Sequence, residues 1–139
     1  MLSLNENFGA IFVNVDFKNR VNILSGLSGT GKTLLFSFLS LYCLKNHLRY
    51  SKFDSSDLMN GSGEELLKSR MNELSKADMI CLDNADLYLN STLFNELIES
   101  CANSMIFISL HYATALKSNY QDIGVYFINY CDNKLKTGV

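Results

Sequence analysis

A chain of 139 residues, 47% hydrophobic and 19% charged, is long enough to bury a core and short enough to be one domain. Its formal net charge of −2 gives no electrostatic bias toward nucleic acid or anionic lipid. The four cysteines, Cys43, Cys81, Cys101 and Cys131, make no C-x-x-C pair for zinc or redox work and read as buried free thiols of a reducing cytosol. The longest apolar run, Leu34 to Leu44, is interrupted by Ser37, Ser40 and Tyr42 and is too short to cross a bilayer, so it reads as a core helix.

In chain order, residues 1–9 are polar and read as loose or as an edge. Ala10 to Val15 reads as a strand, and the polar turn Asp16 to Asn19 leads into a second strand, Arg20 to Ser25, which suggests a hairpin or a strand added beside the main sheet. The stretch Gly26-Leu27-Ser28-Gly29-Thr30-Gly31-Lys32-Thr33 fits G-x-x-x-x-G-K-[ST] at every fixed position, and a helix from Lys32 to about Leu48, apolar nearly all round, follows it. Tyr50 to Phe53 reads as a short strand and Asp54 to Gly63 mostly as loop, with Ser62 capping a helix over Gly63 to Lys76. Met79 to Leu82 is a compact apolar run of the kind a central parallel strand shows, and Thr92 to Ala102 reads as a helix. Ser104 to Leu110 is another buried strand, His111 to Lys117 a short helix or loop, and Val125 to Tyr130 a last strand. Asp132 to Lys134 turns the chain so that Leu135 to Val139 returns as an edge. The alternation predicts an α/β fold: a three-layer α/β/α sandwich with a mostly parallel sheet and extra antiparallel edge strands at the termini. All of it forms a single domain over 1–139, with 1–9 and 132–139 peripheral.

The glycine-rich stretch carries the chemistry. Gly26, Gly29 and Gly31 allow left-handed backbone, so that the amides from Gly26 through Ser28, Gly29, Thr30 and Gly31 can curl around one anionic centre. Lys32 can lay its ammonium along the β- and γ-phosphates at the positive end of the following helix, and Thr33 offers a hydroxyl to Mg²⁺. Asp83, at the end of an apolar strand, suits a carboxylate holding that Mg²⁺ opposite Thr33. Beside it stands Asn84, whose amide can orient a water but cannot accept a proton. Asp86 is the nearest alternative carboxylate and equally a cap for the turn near Leu87. Ser109 and His111 end the next strand, where a polar group would reach the γ-phosphate.

On these residues the chain resembles a P-loop NTPase of the ABC/AAA-like ATPase branch, reduced to a minimal nucleotide-binding core. Ile23 to Thr33 is similar to the strand and loop of Walker A, Met79 to Asp83 to Walker B, and Ile106 to His111 to the strand ending in a switch histidine; Ser62-Gly63-Glu64 is faintly similar to the signature loop that contacts ATP on a partner subunit. The resemblance implies ATP and Mg²⁺ as cofactors, a role for Lys32, Asp83, Asn84 and His111 in handling the γ-phosphate or the water, and a protein partner or homodimer completing the site. It also marks departures: Asn84 stands where such families place a catalytic glutamate, Gln121 is the sole glutamine and comes too late for a Q-loop, and no arginine follows Arg70.

The leading expectation is a cytoplasmic Mg-ATP-binding protein with weak or partner-stimulated hydrolysis. An alternative is a nucleotide-gated interaction module without turnover. A small-molecule kinase, with Asp54 and Asp57 as substrate acids, is disfavoured because residues 71–139 contain no lid arginine. A GTPase is disfavoured because Asn129 to Asp132 matches N-K-x-D only at its ends. No membrane span and no nucleic-acid-binding feature is expected.

Overall fold

The computed structural model describes residues 2–26, 31–54, 63–112 and 116–138. Their strands are β1 (Leu2–Phe8), β2 (Ile11–Phe17), β3 (Val21–Ser25), β4 (Tyr50–Phe53), β5 (Met79–Leu82), β6 (Met105–Leu110), β7 (Ile123–Cys131) and β8 (Lys134–Gly138). Between them lie helices α1 (Lys32–Lys45), α2 (Gly63–Ser69), α3 (Met71–Leu74) and α4 (Ser91–Ser100), with a 3₁₀ turn at Ala85–Leu87. The fold is mixed α/β. One eight-stranded sheet runs β1-β2-β8-β7-β3-β6-β5-β4, and only the β1–β2 and β7–β8 pairs are antiparallel.

Strands β3, β5 and β6 are buried over nearly their whole length, as an unbroken run of apolar residues requires when both sides are covered. Their side chains alternate between two hydrophobic clusters. Ile23, Ile80, Leu82, Ile106 and Ile108 join Leu67, Leu74, Phe94 and Leu97 of α2, α3 and α4. Leu24, Cys81 and Phe107 join Leu35, Phe36 and Leu39 of α1, together with Val13, Val15 and Phe17 of β2 and Leu135 of β8. Although α1 is apolar nearly all round in sequence, its face is divided: Leu35 and Leu39 are fully buried, whereas Leu41 and Leu44 lie exposed. The helix stops at Lys45, where His47 takes a left-handed φ of 57° and the Leu48 amide donates to the Cys43 carbonyl at 2.9 Å, a Schellman-type ending.

Several expectations are corrected. Residues 2–8 are an ordered strand whose Leu2 and Leu4 are buried, and β1 does form one edge of the sheet. The expected hairpin between β2 and β3 does not form. β2 turns back on β1 through Gly9 and Ala10, with Gly9 at φ 62°, while β3 lies between β6 and β7. The returning strand near the C-terminus is no edge: β8 lies between β7 and β2, antiparallel to the first and parallel to the second, and Leu135 is fully buried. The Asp132–Asn133 turn that sends it there has both residues at positive φ, 52° and 58°, and opposes Cys131 to Lys134, the two-residue hairpin that Asp and Asn tolerate best after glycine. The helix expected over 63–76 breaks at Arg70 into α2 and α3. Its proposed cap, Ser62, lies outside the described residues, as do residues 113–115 of the segment after β6.

Arg20, which precedes β3, ties the end of α4 to the sheet. Its guanidinium donates to the carbonyls of Ile98, Cys101 and Ser104 at 3.0, 2.7 and 3.0 Å and to the Tyr120 hydroxyl at 3.0 Å. The Ile98 and Cys101 carbonyls belong to the end of α4, where a helix leaves carbonyls without internal partners, and are satisfied here by a fixed cation.

The thiols also divide. Cys43, Cys81 and Cys101 are buried but Cys131 is exposed on β7. Burial pushes the Cys43 thiol up to about 11 and raises those of Cys81 and Cys101, so none of the three holds a thiolate at neutral pH. Titration of the native protein with a thiol-reactive dye at pH 8 is expected to count one fast thiol, removed by Cys131→Ser, and all four only after addition of denaturant. A second fast thiol would contradict the core described above.

Candidate functional site

The site is assembled where β3 runs into α1. Gly26, at φ 138°, leaves the strand, and its amide bonds the Leu110 carbonyl at 3.2 Å, tying the start of the loop to the end of β6. Gly31 stands immediately before α1 at φ 101°, where a side chain would meet Leu135 Cδ1 at 2.8 Å and Tyr130 Cβ at 3.0 Å. This glycine is required twice, by its backbone and by the β7–β8 hairpin pressed against it. The proposed phosphate-binding amides of Ser28, Gly29 and Thr30 lie outside the described residues.

Lys32 opens α1 and is only 6% exposed. Its ammonium donates to the carbonyl of Gly26 and, at 3.2 Å, to that of Leu110. Burial lowers its pKa from the ordinary 10.5, against the opposing pull of Asp86 and then Asp83. The first turn of α1 carries no acidic residue, so its positive end is not neutralised from within the helix. A buried lysine beside the open N-terminus of a 14-residue helix is an environment suited to a polyanion.

Facing it, β5 delivers Asp83. The carboxylate is 7% exposed; its Oδ2 accepts from the Thr33 hydroxyl at 3.1 Å and its Oδ1 from the Asn84 amide at 3.0 Å. Lys52 Nζ on the edge strand β4 stands 4.0 Å from the same Oδ2 and 3.7 Å from Asp54. Tyr88 fixes the backbone below, its hydroxyl donating to the Asp83 carbonyl at 2.6 Å and lying 3.2 Å from the Phe53 carbonyl. Asn84 adopts φ 52° and ψ 44°, a left-handed conformation to which asparagine is better suited than most residues, and its side chain is exposed.

Strand β6 lies between the strands that carry the loop and Asp83, and so brings Ser109 and His111 to the same place. Asp86, in the 3₁₀ turn, accepts at one oxygen both from the His111 backbone amide, at 3.0 Å, and from its ring Nδ1, at 2.7 Å. A cavity of about 390 Å³ brings Lys32, Thr33, Asp83, Asn84, Ser109 and His111 onto one surface. Its remaining walls include Gly31 and Tyr130. Tyr130 was not among the residues expected from sequence. Its signal is positional: Tyr126, Ile128 and Tyr130 alternate on the face of β7 toward α1, and Ile128 and Tyr130 are two of the atoms' hosts that crowd Gly31.

The donor set fits Mg²⁺ carried on a nucleotide. Among the described residues no three His, Cys, Asp or Glu side chains converge, but this ion typically takes one or two protein oxygens, substrate phosphates and waters rather than a full protein cage. Thr33 and Asp83, already 3.1 Å apart in the cavity wall, are such a pair. Asp54, considered as a substrate acid, is instead paired with Lys52, and Asp57 lies outside the described residues. No described helix is long and apolar enough to cross a membrane.

No protein-family model matches the chain, nor does any curated protein. Among solved structures it is similar to a DNA replication initiation factor, at 17% identity and a TM-score of 0.49 over 66% of this chain and 32% of that one. It is also similar to AMPPCP-bound DnaA from Aquifex aeolicus, at 17% identity and a TM-score of 0.52 over 68% of this chain and 32% of that one. The chain thus spans about a third of the length of each. At this identity the likeness to DnaA is one of architecture, and together with the site it supports a P-loop NTPase-like fold.

Proposed function

We propose that this is a Mg-ATP-binding P-loop protein of the ABC/AAA-like branch, built as an α/β/α sandwich in a single domain, with weak or partner-stimulated ATP hydrolysis in the cytoplasm. The observation that carries the reading is the meeting of Lys32, Thr33 and Asp83 in one cavity, with Thr33 and Asp83 in direct hydrogen bond. The place of β6 between β3 and β5 supports the ABC/AAA-like branch, and the AMPPCP in the DnaA neighbour supports an adenine nucleotide.

In this reading Lys32 and the loop amides of Ser28 through Gly31 bind the phosphates, the Gly26 amide being spent on the Leu110 carbonyl instead, and the N-terminus of α1 adds its partial charge. Thr33 and Asp83 hold Mg²⁺, which neutralises charge on the phosphates when bound. Asn84 orients the attacking water by hydrogen bonding, and His111 approaches the γ-phosphate side of the site. Neither the Asn84 amide nor Ser109 takes up a proton at neutral pH, which limits unassisted turnover. A protein partner or second copy completing the site would raise the rate. The lysine partner of Asp54 and the lack of any arginine after Arg70 weigh against a small-molecule kinase.

The second reading, a nucleotide-gated interaction module without turnover, is favoured by Asn84 alone. Single-turnover hydrolysis compared between the wild type and Asn84→Glu separates the two. A measurable wild-type rate, with a gain of no more than about 10-fold in the variant, is expected for the ATPase; a silent wild type awakened roughly 100-fold by the new carboxylate supports the binding module.

A further inference from the structure

Three charged groups meet at the border of the site, and the pairing of β4 with β5 explains why. Lys52 is registered against Cys81, so Asp83, just past the end of β5, stands on the same face of the sheet. That face is the α1 side: Cys81 and Tyr50 pack in the α1 cluster, whereas Phe53 is buried in the other. The Lys52 stem therefore runs along the sheet toward its carboxyl end. Its ammonium stands 4.0 Å from Asp83 Oδ2 and 3.7 Å from Oδ2 of Asp54, the residue that follows β4. The Asp83 oxygen it approaches is the one that accepts from the Thr33 hydroxyl, on the side where that pair would meet a metal. Lys32 spends its ammonium on the Gly26 and Leu110 carbonyls, and among the described residues Lys52 is the cation within 4.0 Å of Asp83. The two carboxylates differ in how much they need it. The Asp83 side chain is 10% exposed and that of Asp54 29%, so an uncompensated charge costs more at the first than at the second, where water screens it.

We propose that Lys52 determines how the site takes its metal: its ammonium supplies the counter-charge of Asp83 whenever no ion is bound, and passes to Asp54 when Mg²⁺ enters with a nucleotide. This rests on the reading of Thr33 and Asp83 as the metal pair. Two cations at one carboxylate oxygen repel each other, so a bare divalent ion can reach Oδ2 only by displacing the lysine. An ion carried on nucleotide phosphates brings the negative charge that offsets the exchange, and Asp54 receives the lysine without moving it out of reach of a partner. The site thus discriminates against free metal and in favour of the metal–nucleotide complex. Lys52 does this as a positioning group for Asp83, from the edge strand and with a side chain already a third exposed at 33%.

The test reads metal binding directly. Lys52→Met keeps most of the stem and removes the charge. Mn²⁺, used as the probe and followed by electron paramagnetic resonance, is expected to bind the nucleotide-free variant roughly 10-fold more tightly than the wild type. The Mg²⁺ concentration giving half of its full effect on AMPPCP affinity in calorimetry should fall by about the same factor, while AMPPCP affinity in EDTA stays within about threefold. Lys52→Arg, which keeps the charge, should resemble the wild type. A merely structural ion pair predicts the opposite sign, because cutting it loosens Asp83 and leaves metal affinity unchanged or lower. The gain should vanish when Lys52→Met is combined with Asp83→Asn. Asp54→Asn removes the carboxylate that receives the lysine; it should weaken Mn²⁺ binding by about threefold in the wild type and leave it unchanged in the Lys52→Met background. Unchanged or weaker metal binding in Lys52→Met, a gain that survives Asp83→Asn, or an Asp54→Asn loss that persists without the lysine would each overturn the role of Lys52. The urea midpoint of each variant checks that it is folded, and Lys52→Gln replaces Lys52→Met if methionine shifts it. Failure of the wild type to bind AMPPCP, or to respond to Mg²⁺ when it does, would instead overturn the Mg-nucleotide reading beneath the proposal.

Discussion

Lys32→Ala is expected to weaken Mg²⁺–AMPPCP binding by at least about 100-fold in a calorimetric titration, a loss of roughly 2.7 kcal/mol. A charge-assisted bond from the ammonium to a phosphate oxygen, together with the loss of its charge beside the anion, is sufficient to account for that figure. Stability should respond differently. Burial lowers the Lys32 pKa from 10.5, so the unfolded chain holds this proton more tightly than the folded one. Stability therefore rises with pH through the interval between the folded value and 10.5, and at neutral pH the charged lysine opposes folding. The alanine variant sheds that cost but leaves the carbonyls of Gly26 and Leu110 without their cation. The two effects oppose one another, and the unfolding free energy is expected to move by no more than about 1 kcal/mol. Unchanged nucleotide affinity would mean that phosphate is not held beside α1, and the functional reading would fall.

The largest effect on stability is expected from Phe107→Ala. Phe107 is fully buried at the middle of β6, opposite Asn22 on one side and Cys81 on the other. Its ring meets that of Phe17 edge-on, with centroids 5.0 Å apart at 80°, and Phe17 in turn meets Tyr126 at 5.0 Å. The substitution removes core volume and an aromatic pair that joins the central strands to β2, for a loss of about 3–5 kcal/mol. Against a total of roughly 5–15 kcal/mol this is severe, and with an m-value near 2 kcal/mol/M the urea midpoint should fall by about 2 M. A fall below about 0.5 M would show that the rings do not couple the N-terminal hairpin to the sheet.

The parts of the site that could be read in the sequence are those where chemistry and local structure share one short window. The loop from Gly26 to Thr33 lies between a buried strand and a helix, and Asp83 closes an apolar run, so each announces itself without knowledge of its neighbours. Hidden features depend on residues distant in the chain. Alternation shows which side of a strand is apolar but not which strand lies beside it, so the sequence leaves β2 either in a hairpin with β3 or beside the main sheet, and points to an edge place for β8. Tyr130 enters the cavity because the β7–β8 hairpin presses on Gly31. Asp86 was legible as a carboxylate near the site, yet its hold on His111 arises from β6 and the 3₁₀ turn meeting in space. The exposure of Cys131 has the same origin, since one face of β7 near its end is left uncovered.

The place of β8 has a consequence for the order of folding. Among the described residues the hairpin β1–β2 joins the rest of the sheet through β8, which is synthesised much later and where Phe12 is registered against Lys134. At roughly 5–20 residues per second, the partner follows on the order of ten seconds later. Through that interval the backbone of β2 is unpaired on the side that β8 covers. Closure of the sheet is then a late, long-range event, and a contact of such sequence separation places this chain among slower-folding domains.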